Sequence, residues 1–114
     1  MKTQDISHDL RMAHIVRRAC AGGTWVCCEV AGHVCQALVF PEHAVSPNFE
    51  LDNSRISKLW IRRERDQKIV CSFERGWDIH PATRKAAAIC DFLTAGLADH
   101  VYGKRAARTP SLVP

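Results

Sequence analysis

Between Lys58 and Trp77 the chain reads K-L-W-I-R-R-E-R-D-Q-K-I-V-C-S-F-E-R-G-W, two β-branched and aromatic runs separated by a charged turn. Runs of this kind, bounded by polar turn residues, favour extended strands paired as a hairpin. The spacing predicts strands at 56–63 and 68–77 joined by a two-residue turn at Asp66-Gln67. In that register Trp60 pairs with Phe73 and Ile61 with Ser72. One face then carries Trp60, Ile69, Cys71 and Phe73, and the other Leu59, Ile61 and Val70 diluted by Arg63, Ser72 and Glu74.

A second hairpin is written in Trp25–Val30 and Val34–Phe40, interrupted by Ala31-Gly32-His33. A two-residue loop at Ala31-Gly32 puts Cys28 opposite Cys35 and gathers Val26, Cys28, Val30, Cys35, Ala37 and Val39 on one apolar face. Trp25, Val34, Leu38 and Phe40 alternate against that set, so both faces are partly apolar. Either the long connection from Pro41 to Ser54 or a partner is expected to cover the second one. Phe49 and Leu51 are expected to pin that connection down.

Two helices frame these strands in the sequence pattern. Ile6, Leu10, Ala13, Val16 and Cys20 recur at intervals of three and four, which predicts a helix over 5–21 ended by Gly22-Gly23. Ala86, Ile89, Cys90, Leu93, Leu97 and Val101 form a longer stripe, predicting a helix over 81–102 with Pro81 in its first turn and Gly103 at its end. The expected architecture is a single α+β domain over 1–103 in the order α-β-β-β-β-α, a four-stranded antiparallel sheet with both helices packed on one face. Residues 104–114 are expected to form a flexible basic tail.

A length of 114 residues is enough for an unaided hydrophobic core. No apolar run approaches the roughly 20 residues needed to cross a bilayer, and the first residues lead into an amphipathic pattern, not an apolar signal segment. The expected setting is the cytoplasm, with no membrane. Cys20, Cys27, Cys28, Cys35, Cys71 and Cys90 sit inside apolar runs, which fits reduced core thiols better than a disulfide framework.

The sequence offers little catalytic chemistry. Cys27-Cys28, His33 and Cys35 supply soft ligands within nine residues, but alternation separates Cys27 from Cys28. Only Cys28, His33 and Cys35 could converge, so metal binding there is a secondary alternative. Asp78, His80 and Cys90 are the only candidates for nucleophile chemistry, and Cys90 belongs to a buried stripe. No cofactor and no enzymatic activity are expected.

Surface charge is more informative. The formal net charge is +4, and eleven of the sixteen basic residues are arginines, whose planar forks suit phosphate and carboxylate. Lys58, Arg62, Arg63, Arg65, Lys68 and Arg75 cluster on the second hairpin beside Trp60 and Trp77. Basic side chains interleaved with aromatics suit a nucleic-acid strand, and Trp with Arg also dominates protein docking sites. Glu64, Asp66 and Glu74 intervene, as on a solvated edge strand.

The order of elements resembles that of double-stranded RNA-binding domains. Those have three strands, and only Arg84 and Lys85 here stand near the place of their basic helix edge, so no residue role is carried over. The expected function is stoichiometric, non-enzymatic binding through the basic hairpin to nucleic acid or a nucleoprotein complex. An inhibitor or adaptor from a mobile element, like the anti-CRISPR proteins, docking on an acidic protein surface, is the alternative. A homodimer through the less covered sheet face is a further possibility of the pattern.

Overall fold

A computed structural model of the chain describes residues 10–103. It is a six-stranded antiparallel sheet whose strands lie side by side in chain order: β1 (Ala13–Cys20), β2 (Gly23–Val30), β3 (His33–Val39), β4 (Ile56–Arg63), β5 (Lys68–Glu74) and β6 (Trp77–Ile79). One helix, α1 (Arg84–Tyr102), follows the last strand. The four-stranded sheet backed by two helices, and with it the α-β-β-β-β-α order, is therefore corrected.

The largest difference is at the start of the chain. Residues 13–20, expected as helix, form β1 and pair with β2. Residues 5–9 of that expected helix lie outside the described residues, as does the expected tail over 104–114. The three-and-four spacing over 5–21 does not mark a buried stripe, since Val16 is 63% exposed. What decides the local structure is the turn after it. Ala21 and Gly22 have φ of 44° and 87°, and Ala31 and Gly32 have φ of 48° and 76°. Two consecutive positive φ values match the right-handed twist of a hairpin, so the Ala-Gly pairs ten residues apart make two successive tight turns of one kind. A β-bulge between Ala13 and Val16, where His14 has φ of 52°, absorbs the extra residue in β1.

The register of the β4–β5 hairpin also differs from expectation. Arg63 pairs with Lys68, leaving a four-residue connection from Glu64 to Gln67. The Asp66 carboxylate explains the longer loop: it accepts two hydrogen bonds from the Arg63 guanidinium, at 3.0 and 2.9 Å, and one from the Lys68 amide at 3.4 Å. The pairing then slips at a bulge, with Ile61 opposite Cys71 but Arg62 opposite Ile69, so Val70 has no partner. Trp60 consequently lies opposite Ser72, and Phe73 opposite Leu59. Leu59, Ile61, Val70, Cys71 and Phe73 are all buried, and Ile69 is turned out to solvent. The expected strand over 68–77 breaks at Arg75-Gly76, with φ of 59° and 151°, and returns as the short β6.

Helix α1 starts later than Pro81 suggests. Thr83 is its N-cap, the hydroxyl accepting the Ala86 amide at 2.9 Å, and the Gly103 amide closes the other end on the Asp99 carbonyl at 2.7 Å. Ala86, Ile89, Cys90, Leu93 and Leu97 pack onto the inner face of the sheet, which presents Val26, Cys28, Val30, Cys35, Ala37, Val39, Leu59 and Ile61. The helix end is tied to the sheet twice. The Tyr102 hydroxyl donates to the Val39 carbonyl at 3.2 Å and meets the Thr24 hydroxyl at 2.8 Å, and Arg55 pairs with Asp99 at 2.8 Å.

The long connection between β3 and β4 folds over one end of the sheet. Leu51 is buried in the core, and the Phe40 amide bonds the Arg55 carbonyl at 2.9 Å to close the loop. Phe49, expected with Leu51 to pin the connection down, is half exposed, so Leu51 alone of the two is buried.

Gly23 has a structural requirement of its own. A Cβ there would stand 2.7 Å from the Val39 carbonyl oxygen and 2.8 Å from the Phe40 ring. Backbone cannot yield as a flexible side chain does, so Gly23→Ala is expected to cost about 1–3 kcal/mol as overpacking. A lowered urea midpoint with an unchanged m-value measures this; Gly32→Ala, where a Cβ meets nothing within 4 Å, separates it from simple loss of a left-handed glycine.

Candidate functional site

Alternation along the strands gives the sheet an outer face that α1 does not touch. It carries Arg18 from β1, Trp25 and Cys27 from β2, Val34, Gln36 and Leu38 from β3, Lys58, Trp60 and Arg62 from β4, and Ile69 from β5. Trp25 and Trp60 stand on strands either side of β3, and their rings stack across it, with centroids 5.6 Å apart and planes inclined by 15°. The register brings them together: Trp25 is opposite Leu38, and Trp60 is opposite Gln36.

The stacked pair divides the face into two hollows. One, of about 350 Å³, is lined by Val34, Gln36, Trp60, Arg62, Ile69 and Ile79. The other, of about 400 Å³, is lined by Val16, Arg18, Trp25, Cys27, Gln36 and Trp60. No residue of the long connection lines either one. The Arg62 Nε is buried, with no hydrogen-bond partner among the described residues. An unsatisfied donor of this kind costs about 1–3 kcal/mol, which an acceptor supplied from outside would recover.

The expected binding residues are divided by the structure. Trp60 and Arg62 share the outer face. Lys58 is on it too but is paired with Glu74 at 3.3 Å. Arg63 is held by Asp66, whose carboxyl that guanidinium lowers to about 2. Arg65 and Lys68 are exposed at the hairpin tip. Arg75 and Trp77 lie elsewhere: the Arg75 guanidinium is 5.8 Å from the Phe49 ring centroid, and Trp77 packs edge-on to Phe73 and flat on His80, at 5.2 and 4.6 Å. Trp25 and Arg18 were missed by the sequence reading. The first was placed on the second face without a partner, and the second was assigned to a helix.

Cys28 lies opposite Cys35, and the two thiols hydrogen-bond each other. That bond, together with burial, pushes the Cys35 thiol up. Cys90 is raised in the same way by its hydrogen bond to Cys71 and by burial. His33, the third candidate ligand, donates through Nδ1 to the Ala31 carbonyl at 2.8 Å. Among the described residues no three His, Cys, Asp or Glu side chains come together to hold a metal ion. The possible nucleophile set is also dispersed, with Cys90 buried against Cys71, His80 stacked on Trp77, and Asp78 accepting from Ser72 at 3.5 Å.

A second polar cluster lies beneath the long connection. Glu50, with 4% of its side chain exposed, meets His43 Nδ1 at 2.7 Å and the Ala44 amide at 2.6 Å. Burial alone would raise its carboxyl, but the Ala44, His43 and Arg55 donors outweigh that and hold it below its ordinary value. All six cysteines are free, and Cys20 and Cys27 are the two not buried.

Two measurements follow from this geometry. Because Glu50 is depressed in the folded protein, it stabilises fully above its unfolded pKa of about 4.3, and that contribution is lost as pH falls through the lower folded value. Urea unfolding from pH 6 to 3 is expected to show stability falling below about pH 4.5, and Glu50→Gln to flatten that decline. With a thiol-reactive chromophore, Cys20 and Cys27 are expected to label first, and Cys28, Cys35, Cys71 and Cys90 only as the protein opens.

Among the described residues no helix is long and apolar enough to cross a membrane. Comparison with curated proteins and with solved structures returns no match. A family model described as a domain of unknown function, DUF7678, matches residues 24–98. That span takes in β2 to β6 and most of α1, including Trp25, Trp60 and Arg62, and leaves out β1. It is well over half of the sequence, and the chain belongs to the DUF7678 family.

Proposed function

We propose that this protein binds single-stranded nucleic acid, alone or within a nucleoprotein complex, by stoichiometric contact through the outer face of its sheet. The observation that carries this is the Trp25–Trp60 stack beside the unpartnered Arg62 Nε. Each indole has one ring face on its neighbour, and both rings border hollows wide enough for a base. Sheets that bind single strands use aromatic side chains as stacking platforms and arginines for the phosphates.

Arg18 and Arg62 flank the stack on the outer face, and Arg65 and Lys68 stand exposed at the hairpin tip, Lys68 opposite Arg63. None of the four has an ion-pair partner among the described residues. Of the carboxylates beside this face, Glu29 is engaged by His14 at 3.3 Å, Glu74 by Lys58 at 3.3 Å and Asp78 by the Ser72 hydroxyl at 3.5 Å. Six free thiols support a reducing, cytoplasmic setting. The arrangement supports binding without catalysis.

Titration of a mixed-sequence single-stranded oligonucleotide, followed by tryptophan fluorescence quenching, tests this. Four phosphate contacts predict a log K against log salt slope of about −3. Trp60→Ala is expected to weaken binding by about tenfold or more, in line with a lost base stack, and Arg62→Ala to weaken it and reduce the slope by about one. A flat response between 50 and 200 mM salt, or full affinity in Trp60→Ala, overturns the proposal.

A second reading rests on the exposed Val16, Ile69 and Ile79 around the same hollows. These apolar side chains support docking of an acidic protein surface, as expected of an inhibitor or adaptor, with Trp60 and Arg62 as anchors. Affinity capture from the native host with and without nuclease distinguishes the two. Nuclease-resistant capture that Ile69→Asp abolishes favours the protein partner.

A further inference from the structure

Away from the outer face, the long connection borders an open cleft of about 450 Å³ against the edge of β4 and the β5–β6 turn. Its volume lies within the range of small-molecule sites. Phe40, Pro41, Val45 and Phe49 supply apolar walls, and His43, Glu50, Arg55 and Arg75 supply the charged ones, with Glu42 also at the lining.

The buried charges in the wall are satisfied from within. Arg55 donates to the Pro41 carbonyl at 3.1 Å and to Asp99 at 2.8 Å. Glu50 is saturated by His43 and the Ala44 amide. Arg75 differs from both: its guanidinium lies over Phe49 and makes no ion pair among the described residues. A guanidinium resting on an aromatic face keeps its N–H groups directed outward in the plane of the fork. The lining therefore presents at the border of an apolar hollow a guanidinium outside any ion pair among the described residues, with the Glu42 carboxylate on the same lining.

The backbone is held in place for this. Asp52, Asn53, Arg55 and Arg75 all have positive φ, between 45° and 67°, which costs free energy in non-glycine residues and persists where the surrounding structure enforces it. In Arg55 the same residue closes the loop, through its carbonyl to the Phe40 amide, and ties it to α1 through Asp99. The cavity is thus preformed, which lowers the ordering cost of a ligand.

We infer that this cavity binds a small amphipathic carboxylate, its hydrocarbon part against Phe40, Pro41, Val45 and Phe49 and its carboxylate on the Arg75 fork. A paired guanidinium–carboxylate contact fixes the orientation of such a ligand, and apolar burial supplies most of its affinity. The site shares no lining residue with either outer hollow, so it does not depend on the nucleic-acid proposal.

Titration of the full chain with octanoate, followed by backbone amide chemical shifts, tests the assignment. Saturable shifts are expected over residues 40–50 and at Arg75, with octan-1-ol binding at least tenfold more weakly. Arg75→Gln is expected to lower octanoate affinity about tenfold, the loss of one charge-assisted contact. Val45→Asp, a change at a fully exposed position of the apolar wall that leaves the core untouched, is expected to weaken both ligands, and octanoate the more because of the added repulsion. No saturable shift up to the solubility limit, shifts centred on Trp25 and Trp60, equal binding of the alcohol, or unchanged affinity in Arg75→Gln each overturns it.

Discussion

One amphipathic helix has to cover one side of a six-stranded sheet, and the rest of the molecule follows from how far it reaches. At 1.5 Å per residue the 19 residues of α1 span about 28 Å, while its diameter is about 10 Å. Six strands at about 4.8 Å spacing are roughly 24 Å across. The helix runs from β5, where the Ala82 amide bonds the Val70 carbonyl just before it, to β2 and β3 at Tyr102, and is too narrow to cover the whole inner face. Leu51 from the long connection and Leu10 before β1 join the core to complete it. No described element remains for the outer face, which an antiparallel sheet can leave to solvent.

That constraint explains why the polar ties gather at one end of the helix. Tyr102 anchors on Val39 and Thr24, and Arg55 anchors on Asp99, so the C-terminal turns of α1, the end of β3 and the start of β4 are locked together. The Arg55–Asp99 pair is unequal in exposure, the guanidinium side chain at 7% and the carboxylate at 37%. Partial solvation of Asp99 moderates the desolvation cost that a wholly buried pair would carry. Holding the loop in place is the role that this pair performs most directly, since Arg55 also donates to the Pro41 carbonyl.

How much of this was legible depended on whether the signal was local. The Ala31-Gly32 turn, with Cys28 facing Cys35, could be read because one turn sets the register of the whole hairpin. The final helix could be read from its stripe, although Thr83 and not Pro81 begins it. The expected first helix is absent because its apolar positions at spacings of three and four do not mark a buried stripe, and Gly22-Gly23 reads equally as a helix stop and as a turn. In fact Gly22 belongs to a mirror-type turn, and Gly23 is required by the approach of Val39 and Phe40. The β4–β5 register failed because a bulge at Val70 and the Asp66 capping of the loop are set by side-chain geometry and not by alternation. The Trp25–Trp60 pair was illegible for a different reason: it exists only because β2 and β4 flank β3, a fact of topology that joins residues more than a third of the described chain apart.

Strand β4 is where the two candidate surfaces come closest, and alternation keeps them apart. Lys58, Trp60 and Arg62 point to the outer face, while Arg55 and Ser57, just before and within the strand, belong to the cleft under the long connection. A side-chain period of two means that a ligand on one surface touches no residue of the other. Any influence between them would have to pass through the backbone of β4, whose start is fixed by the hydrogen bonds from Leu51 to Ile56 and from Arg75 to Ser57. The two candidate surfaces therefore share a strand but no lining residue.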